Sequence, residues 1–212
     1  MLPWPNLLAF LVAAVVLVIM PGPTVLFVVG RSLSLGRRGG LLSVLGNAIG
    51  LVPIIVAVAF GVGAIIAESV VIFTIIKYVG AAYIVYLGVQ AIRHRKRAAA
   101  AMSSGVRHKS APRMLAEGFL VGVTNPKTIA FFLAVLPQFV DPSYGWVPGQ
   151  LLLLGGIFVV LALLSDGAWA LAAGSARDWF ARSPKRVENL GTTGGVMMIG
   201  LGGVLALTGS SK

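Results

Sequence analysis

Apolar residues in this chain run in long blocks separated by short polar segments. Six stretches, at about 7–30, 41–67, 69–92, 115–137, 150–174 and 190–208, are almost wholly hydrophobic. Each is close to or longer than the ~20 helical residues needed to cross a hydrocarbon layer about 30 Å thick. The pattern predicts an all-α, polytopic membrane protein with six transmembrane helices. Two of the stretches are interrupted near their middle, by Pro21-Gly22-Pro23-Thr24 in the first and Asn125-Pro126-Lys127-Thr128 in the fourth. Proline removes a backbone donor and clashes with the preceding turn, and hydrocarbon offers no water to replace the lost bond. Such breaks therefore survive mainly inside protein or beside an aqueous cavity. Helices 1 and 4 are expected to be broken, and broken membrane helices are where transporters bind their ligands.

Composition agrees with the blocks. At 58% hydrophobic and 11% charged, with a mean hydropathy of +0.95, the chain has too little polar surface for a soluble globule. The net charge of +11 suggests nucleic acid until the basic residues are placed. Arg31, Arg37 and Arg38 follow the first stretch. Arg93, Arg95, Lys96, Arg97, Arg107, Lys109 and Arg113 follow the third, and Arg177, Arg182, Lys185 and Arg186 the fifth. Only Lys77 and Lys127, inside stretches, and Lys212, at the end, lie elsewhere. Such alternation is the positive-inside signature, and it predicts cytoplasmic first, third and fifth loops with both termini outside. The basic run at 93–97 then serves topology and anionic headgroups, and no nucleic-acid partner is expected. Trp4, Tyr144 and Trp146 are expected at the outer interface and Trp179 at the inner. Residues 1–6 lack the basic start of a cleaved signal peptide. With no cysteine in the chain, disulfides, thiol redox chemistry and thiolate metal sites are excluded.

The basic segment 93–113, with a small and flexible centre at 98–105, divides a single domain spanning 1–212 into two halves, at about 1–92 and 114–212. Three spans per half make any internal repeat an inverted one. Aligning Thr24 with Thr128 also aligns Phe27 with Phe131 and both breaks. In the third spans, Gly80 with Leu87-Gly88 has the spacing of Gly194 with Leu201-Gly202. Two inverted three-helix repeats are the expectation. Glycine pairs at Gly46/Gly50, Gly118/Gly122 and Gly191/Gly195 allow close backbone approach, either between helices of one chain or across a homodimer.

A proline-restarted helix turns its unpaired amides and positive dipole end toward the bilayer midplane, which favours an anion. Thr24 to Gly30 and Thr128 to Pro137 are expected to be two such half-helices, and a carboxylate is the natural shared ligand. Two unrelated kinks are the alternative. Lys127 lies too deep to reach either surface easily, and Asp166 is the acid farthest from an interface. They either form an ion pair or act separately, Lys127 on a carboxylate and Asp166 on an ammonium or a coupled proton. Asn47, within Gly46-Asn47-Ala48-Ile49-Gly50, is a substrate ligand or interhelical glue. Lys77 either snorkels outward or lines a cavity, and Glu117 is expected to pair with Arg113 one turn away. His94 and His108 fall in the third loop, leaving no intramembrane histidine as base or metal ligand. Ser165 beside Asp166 has no activating base, which argues against a hydrolase.

Several of these residues sit in familiar motifs. The chain resembles the LysE/RhtB family of bacterial amino-acid exporters in Pro21-Gly22-Pro23, in Gly46-Asn47-Ala48-Ile49-Gly50, and in Lys77-Tyr78-Val79-Gly80-Ala81-Ala82-Tyr83 with Leu87-Gly88. Further likeness lies in Gly118-Phe119, Asn125-Pro126-Lys127, Phe131-Phe132 and Leu136-Pro137-Gln138-Phe139. The resemblance implies a six-span inner-membrane exporter of amino acids or their derivatives, driven by the proton motive force. Residues and resemblance together give a secondary transporter whose substrate site comprises Pro21, Gly22, Pro23, Thr24, Asn47, Asn125, Pro126, Lys127, Thr128 and Asp166, with Asp166 also carrying the proton. Neither cofactor nor metal is expected. The competing class is a membrane scaffold or lipid-handling protein that moves no solute.

Overall fold

In the computed structural model, which describes residues 2–68, 70–103, 110–176, 179 and 183–207, the described residues are helical apart from short connections. Among the described residues seven helices can be delimited: α1 (Trp4–Ile19), α2 (Pro23–Glu68), α3 (Val70–Ser103), α4 (Ala111–Val123), α5 (Pro126–Ala134), α6 (Val147–Ser175) and α7 (Pro184–Leu207). Two 3₁₀ turns, Leu136–Phe139 and Pro142–Tyr144, link α5 to α6. Both predicted breaks are present. The first apolar stretch becomes α1 and the start of α2, separated by Met20, Pro21 and Gly22. The fourth becomes α4 and α5, with Thr124 and Asn125 between them and a bend of 43°. By length and composition, Pro23–Gly61 and Val147–Ser175 are each able to cross a membrane, and the bent pair makes a third if it counts as one span.

Two segments expected as loops are helical. Residues 31–40 carry Arg31, Arg37 and Arg38 inside α2, which turns there only at Gly36, where φ is 75°. A positive φ costs glycine little, so the chain redirects without leaving hydrogen-bonded geometry for long. The third loop starts later than composition suggested, because α3 continues through Ala98–Ala101 to Ser103. Alanine is the strongest helix former, and helix geometry tolerates the preceding arginines well. Residues 104–109, with Arg107, His108 and Lys109, lie outside the described residues, as do Arg177, Arg182 and Lys212. The side chain of Lys77 is likewise not described.

Helix α2 packs on α4 and α6, and α3 runs along α7. The glycine pairs make the first of these contacts close. A Cβ on Gly118 would lie 2.3 Å from the Ser43 carbonyl, and one on Gly122 would lie 2.3 Å from that of Asn47. Gly46 and Gly50 meet Leu115 and Phe119 in the same way from the other side. Gly191 and Gly195 face Arg95 and Gly88 of α3. All three pairs are thus used within one chain, and the α2–α4 mesh fixes Asn47 at the centre of the molecule. The main core, around Phe10, Phe131, Phe132 and Phe158, fills the half holding α1 and α5. In the other half, toward Arg31, the described residues form two small clusters, around Val25 and Val28.

Candidate functional site

Each break is held by specific side chains. Helix α1 ends with Met20 in extended backbone, leaving carbonyls that hydrocarbon cannot solvate. The Lys127 ammonium takes two of them, donating to Leu17 O and Met20 O at 3.0 Å each. Ser165 Oγ donates to a third, Val18 O, at 3.0 Å. A cation at the negative end of a helix is electrostatically favourable. Helix α2 restarts at once, with Leu26 N donating to Gly22 O at 3.0 Å. At the second break Asn125 is the N-cap of α5, a role suited to its short side chain. Its Oδ1 accepts from Lys127 N at 3.1 Å, and Pro126 at the next position forfeits no needed donor. Its Nδ2 donates to Thr24 Oγ1 at 2.5 Å. One asparagine therefore ties the two half-helix N-termini together across more than a hundred residues of chain.

Between them is a cavity of about 20 Å³, whose polar wall is Thr24, Asn47, Asn125, Lys127, Thr128 and Asp166. None of these six is more than 5% exposed. The volume suits roughly one water molecule, so a larger solute needs these walls to part. Asn47 Nδ2 donates to Asp166 Oδ2 at 3.1 Å, while Asn47 Oδ1 is buried with no partner among the described residues. Among the described residues, no acceptor meets the backbone amides of Thr24, Val25 and Thr128 either, as expected for the first turn of a helix. The cavity thus has open donors at two helix N-termini and an open acceptor beside a carboxylate. That is complementary to a small molecule carrying both charges.

Of the two readings of Lys127 and Asp166, the ion pair is not realised. Lys127 and Asp166 line the same cavity but form no direct ion pair; each is first satisfied by neutral groups, two carbonyls and an amide. The orphan carbonyls of α1 hold the Lys127 ammonium in this structure. Of the other expected residues, Pro21, Gly22, Pro23 and Pro126 form the breaks, and Gly22 packs against the Lys127 side chain, where a Cβ would come 3.1 Å from Nζ.

Sequence reasoning missed one pair. Arg31 of α2 contacts Glu117 of α4 and lies 4.9 Å over the Phe27 ring. Glu117 also holds Arg113 at 3.2 Å, the expected pair. Arg31 lies seven residues after Thr24, and Glu117 seven before Thr124, so both are roughly 10 Å along their helices from the cavity. Those equal offsets from the two breaks were the available signal.

A family model, LysE type translocator, matches residues 15–209. The chain belongs to the LysE type translocator family. It is 39% identical to an uncharacterized membrane protein of Vibrio cholerae, over 94% of this chain and 95% of the relative. A homoserine/homoserine lactone efflux protein of Salmonella typhi is 30% identical, over 93% of this chain and 94% of that protein. An uncharacterized membrane protein of Bacillus subtilis is 32% identical, over 93% and 96%. No solved structure matches. This LysE-type chain is a membrane protein of a transporter family, and all ten residues assembled above fall within the matched range.

Proposed function

We propose that this protein is a secondary transporter that exports amino acids or their derivatives across the bacterial inner membrane by alternating access, with protons moving in exchange. The observation that carries the reading is the junction of both broken helices at Asn125 and Thr24, beside Lys127 on one wall and Asp166 on the other. Helix N-termini and an ammonium suit a carboxylate; a carboxylate and the free Asn47 carbonyl suit an ammonium. Family membership and the Salmonella efflux relative support transport of such a solute outward. Asp166 is the proton carrier in this reading, because it is the acid at the cavity.

Six spans result if α1 with the start of α2, and α4 with α5, each count as one crossing. Some of the helix contacts follow an exchange of spans 1 and 4, 2 and 5, and 3 and 6: span 2 lies on 4 as span 5 lies on 1, and span 3 on span 6, whereas the packing of α3 on α5 has no equally extensive counterpart among the described residues. In this reading the two halves are inverted repeats, and the basic segments place both termini outside. The Arg31–Glu117 pair then closes the cytoplasmic side, where packing is thinner than in the Phe-rich outer half.

Reconstitution into vesicles with an imposed pH gradient tests the reading. Labelled amino acids, homoserine among them, should move against their gradient with wild-type protein, and Asp166→Asn should remove the pH-driven component. A protein that moves none of the twenty amino acids or homoserine would return the scaffold or lipid-handling alternative. The chain lacks cysteine, so a single Thr128→Cys is an uncluttered accessibility probe. With Glu117→Gln added, an impermeant thiol reagent applied from the cytoplasmic face should label it several-fold faster. Unchanged labelling would remove Arg31–Glu117 from the gating scheme.

A further inference from the structure

We infer that the face of α6 bearing Asp166, Ala162 and Phe158 is the side-chain subsite of this transport site, and that it favours α-amino acids with short, uncharged side chains. The inference rests on the transport reading and specifies its substrate class. The three residues are spaced four apart, so they stack on one helix face at intervals of roughly 6 Å. All three line the cavity, and none is more than 6% exposed.

Their chemistry changes stepwise along that face. Asp166, clipped by Asn47 Nδ2, holds the charged end, and the open Asn47 Oδ1 stands ready as a second acceptor for an ammonium. Ala162, one turn outward, is the smallest member of the wall, so once the walls part it is the position that accommodates a substrate's β-carbon and the atoms beyond it. Phe158, one turn further, ends the space. Its ring cannot easily swing away, because it packs edge-on against Phe132 at 4.9 Å and tilted against Phe131 at 5.3 Å. Leu17 and Leu51 complete this apolar side. A substrate whose ammonium engages Asp166 and whose carboxylate meets the amides of Thr24, Val25 and Thr128 must lay its side chain over Ala162 toward Phe158.

Two discriminations result. A long side chain meets a fixed ring, and a cationic one places a second charge against Phe158 and Leu17 with no partner, which is costly. A hydroxyl on a short side chain remains within reach of the Thr24 and Thr128 side of the cavity. Apolar pockets distinguish substrates by about 10- to 200-fold per methylene, so the expected preference is graded for length and steep for charge.

The test is counterflow into proteoliposomes of alanine, serine, homoserine, leucine, phenylalanine and lysine, with each variant compared by the ratio between substrates so that yield cancels. Wild type should favour the first three. Phe158→Ala, and more mildly Phe158→Leu, should raise leucine and phenylalanine relative to alanine about tenfold. Ala162→Val should depress homoserine relative to alanine by a similar factor. Active variants with wild-type ratios, or a wild-type preference for lysine, would overturn the subsite and leave transport standing. Absence of flux for every substrate in wild type would instead overturn the transport reading, and the subsite with it.

Discussion

Lys127→Met is expected to abolish coupled transport while leaving a folded protein. Two opposing terms decide the second half of that statement. Removing the ammonium orphans Leu17 O and Met20 O, and each buried acceptor left unpaired costs about 1–3 kcal/mol. It also removes a charge whose presence at mid-membrane depth costs about 2.5–3.5 kcal/mol on insertion scales. The terms nearly cancel, so thermal stability in detergent should change little. Function has no such compensation. The link between the end of α1 and the start of α5 is lost, and with it the only cation at the cavity among the described residues. Flux in the reconstituted assay should fall at least a hundredfold. Lys127→Arg should not rescue it, because a guanidinium is larger than the space beside Gly22 and presents a planar fork, not a compact charge. Stable protein with near-normal flux would assign Lys127 to capping α1 alone.

The breaks were legible because proline and glycine act locally: Pro23 and Pro126 fix helix starts whatever surrounds them. The apolar blocks were legible for the same reason, since bilayer thickness sets their length. The helix ends within the basic segments were not. Nothing in 31–40 or 93–103 stops a helix except Gly36, and basic residues are read as loop only when membrane depth is confused with helix length. At the site, sequence depth singled out Lys127 and Asp166 but gave no partners. The partners are carbonyls of α1 and the amide of Asn47, placed by glycine contacts between distant helices. A backbone acceptor has no sequence signature. This is why the sequence left an ion pair and separate roles as alternatives, and neutral capping emerged only in three dimensions.

That capping gives the two breaks unequal parts. The first supplies backbone groups and the Thr24 hydroxyl, whereas the second supplies Asn125 and Lys127, which reach across to the first at both of its ends: Lys127 to the C-terminus of α1, Asn125 to the N-terminus of α2. In the proposed transport cycle a substrate carboxylate at Thr24 and Thr128 would compete with those carbonyls for the Lys127 ammonium. Binding would then loosen the grip of α5 on α1, the differential interaction that any ligand-driven conformational change requires.

Gly194→Ala should be the most damaging small substitution in the chain. The Cβ it adds would fall 1.5 Å from the carbonyl oxygen of Pro21, and the obstructing atom is backbone, unable to rotate aside. Either α7 withdraws from the first break or Pro21 moves, and Met20 and Gly22 move with it, taking the Lys127 acceptor and the start of α2 out of register. Overpacking by a methyl group typically costs about 1–3 kcal/mol; with no side-chain escape the cost here should reach or exceed the upper figure. The same helix carries its own control. A Cβ on Gly200 would meet nothing within 4 Å, so Gly200→Ala should be neutral or stabilising by up to about 1 kcal/mol through helix propensity. Thermal unfolding of the two variants in one detergent separates the effects. If Gly194→Ala and Gly200→Ala unfold alike, the first break is not braced by α7, and the Pro-Gly-Pro segment is free to move independently of the third span of the second half.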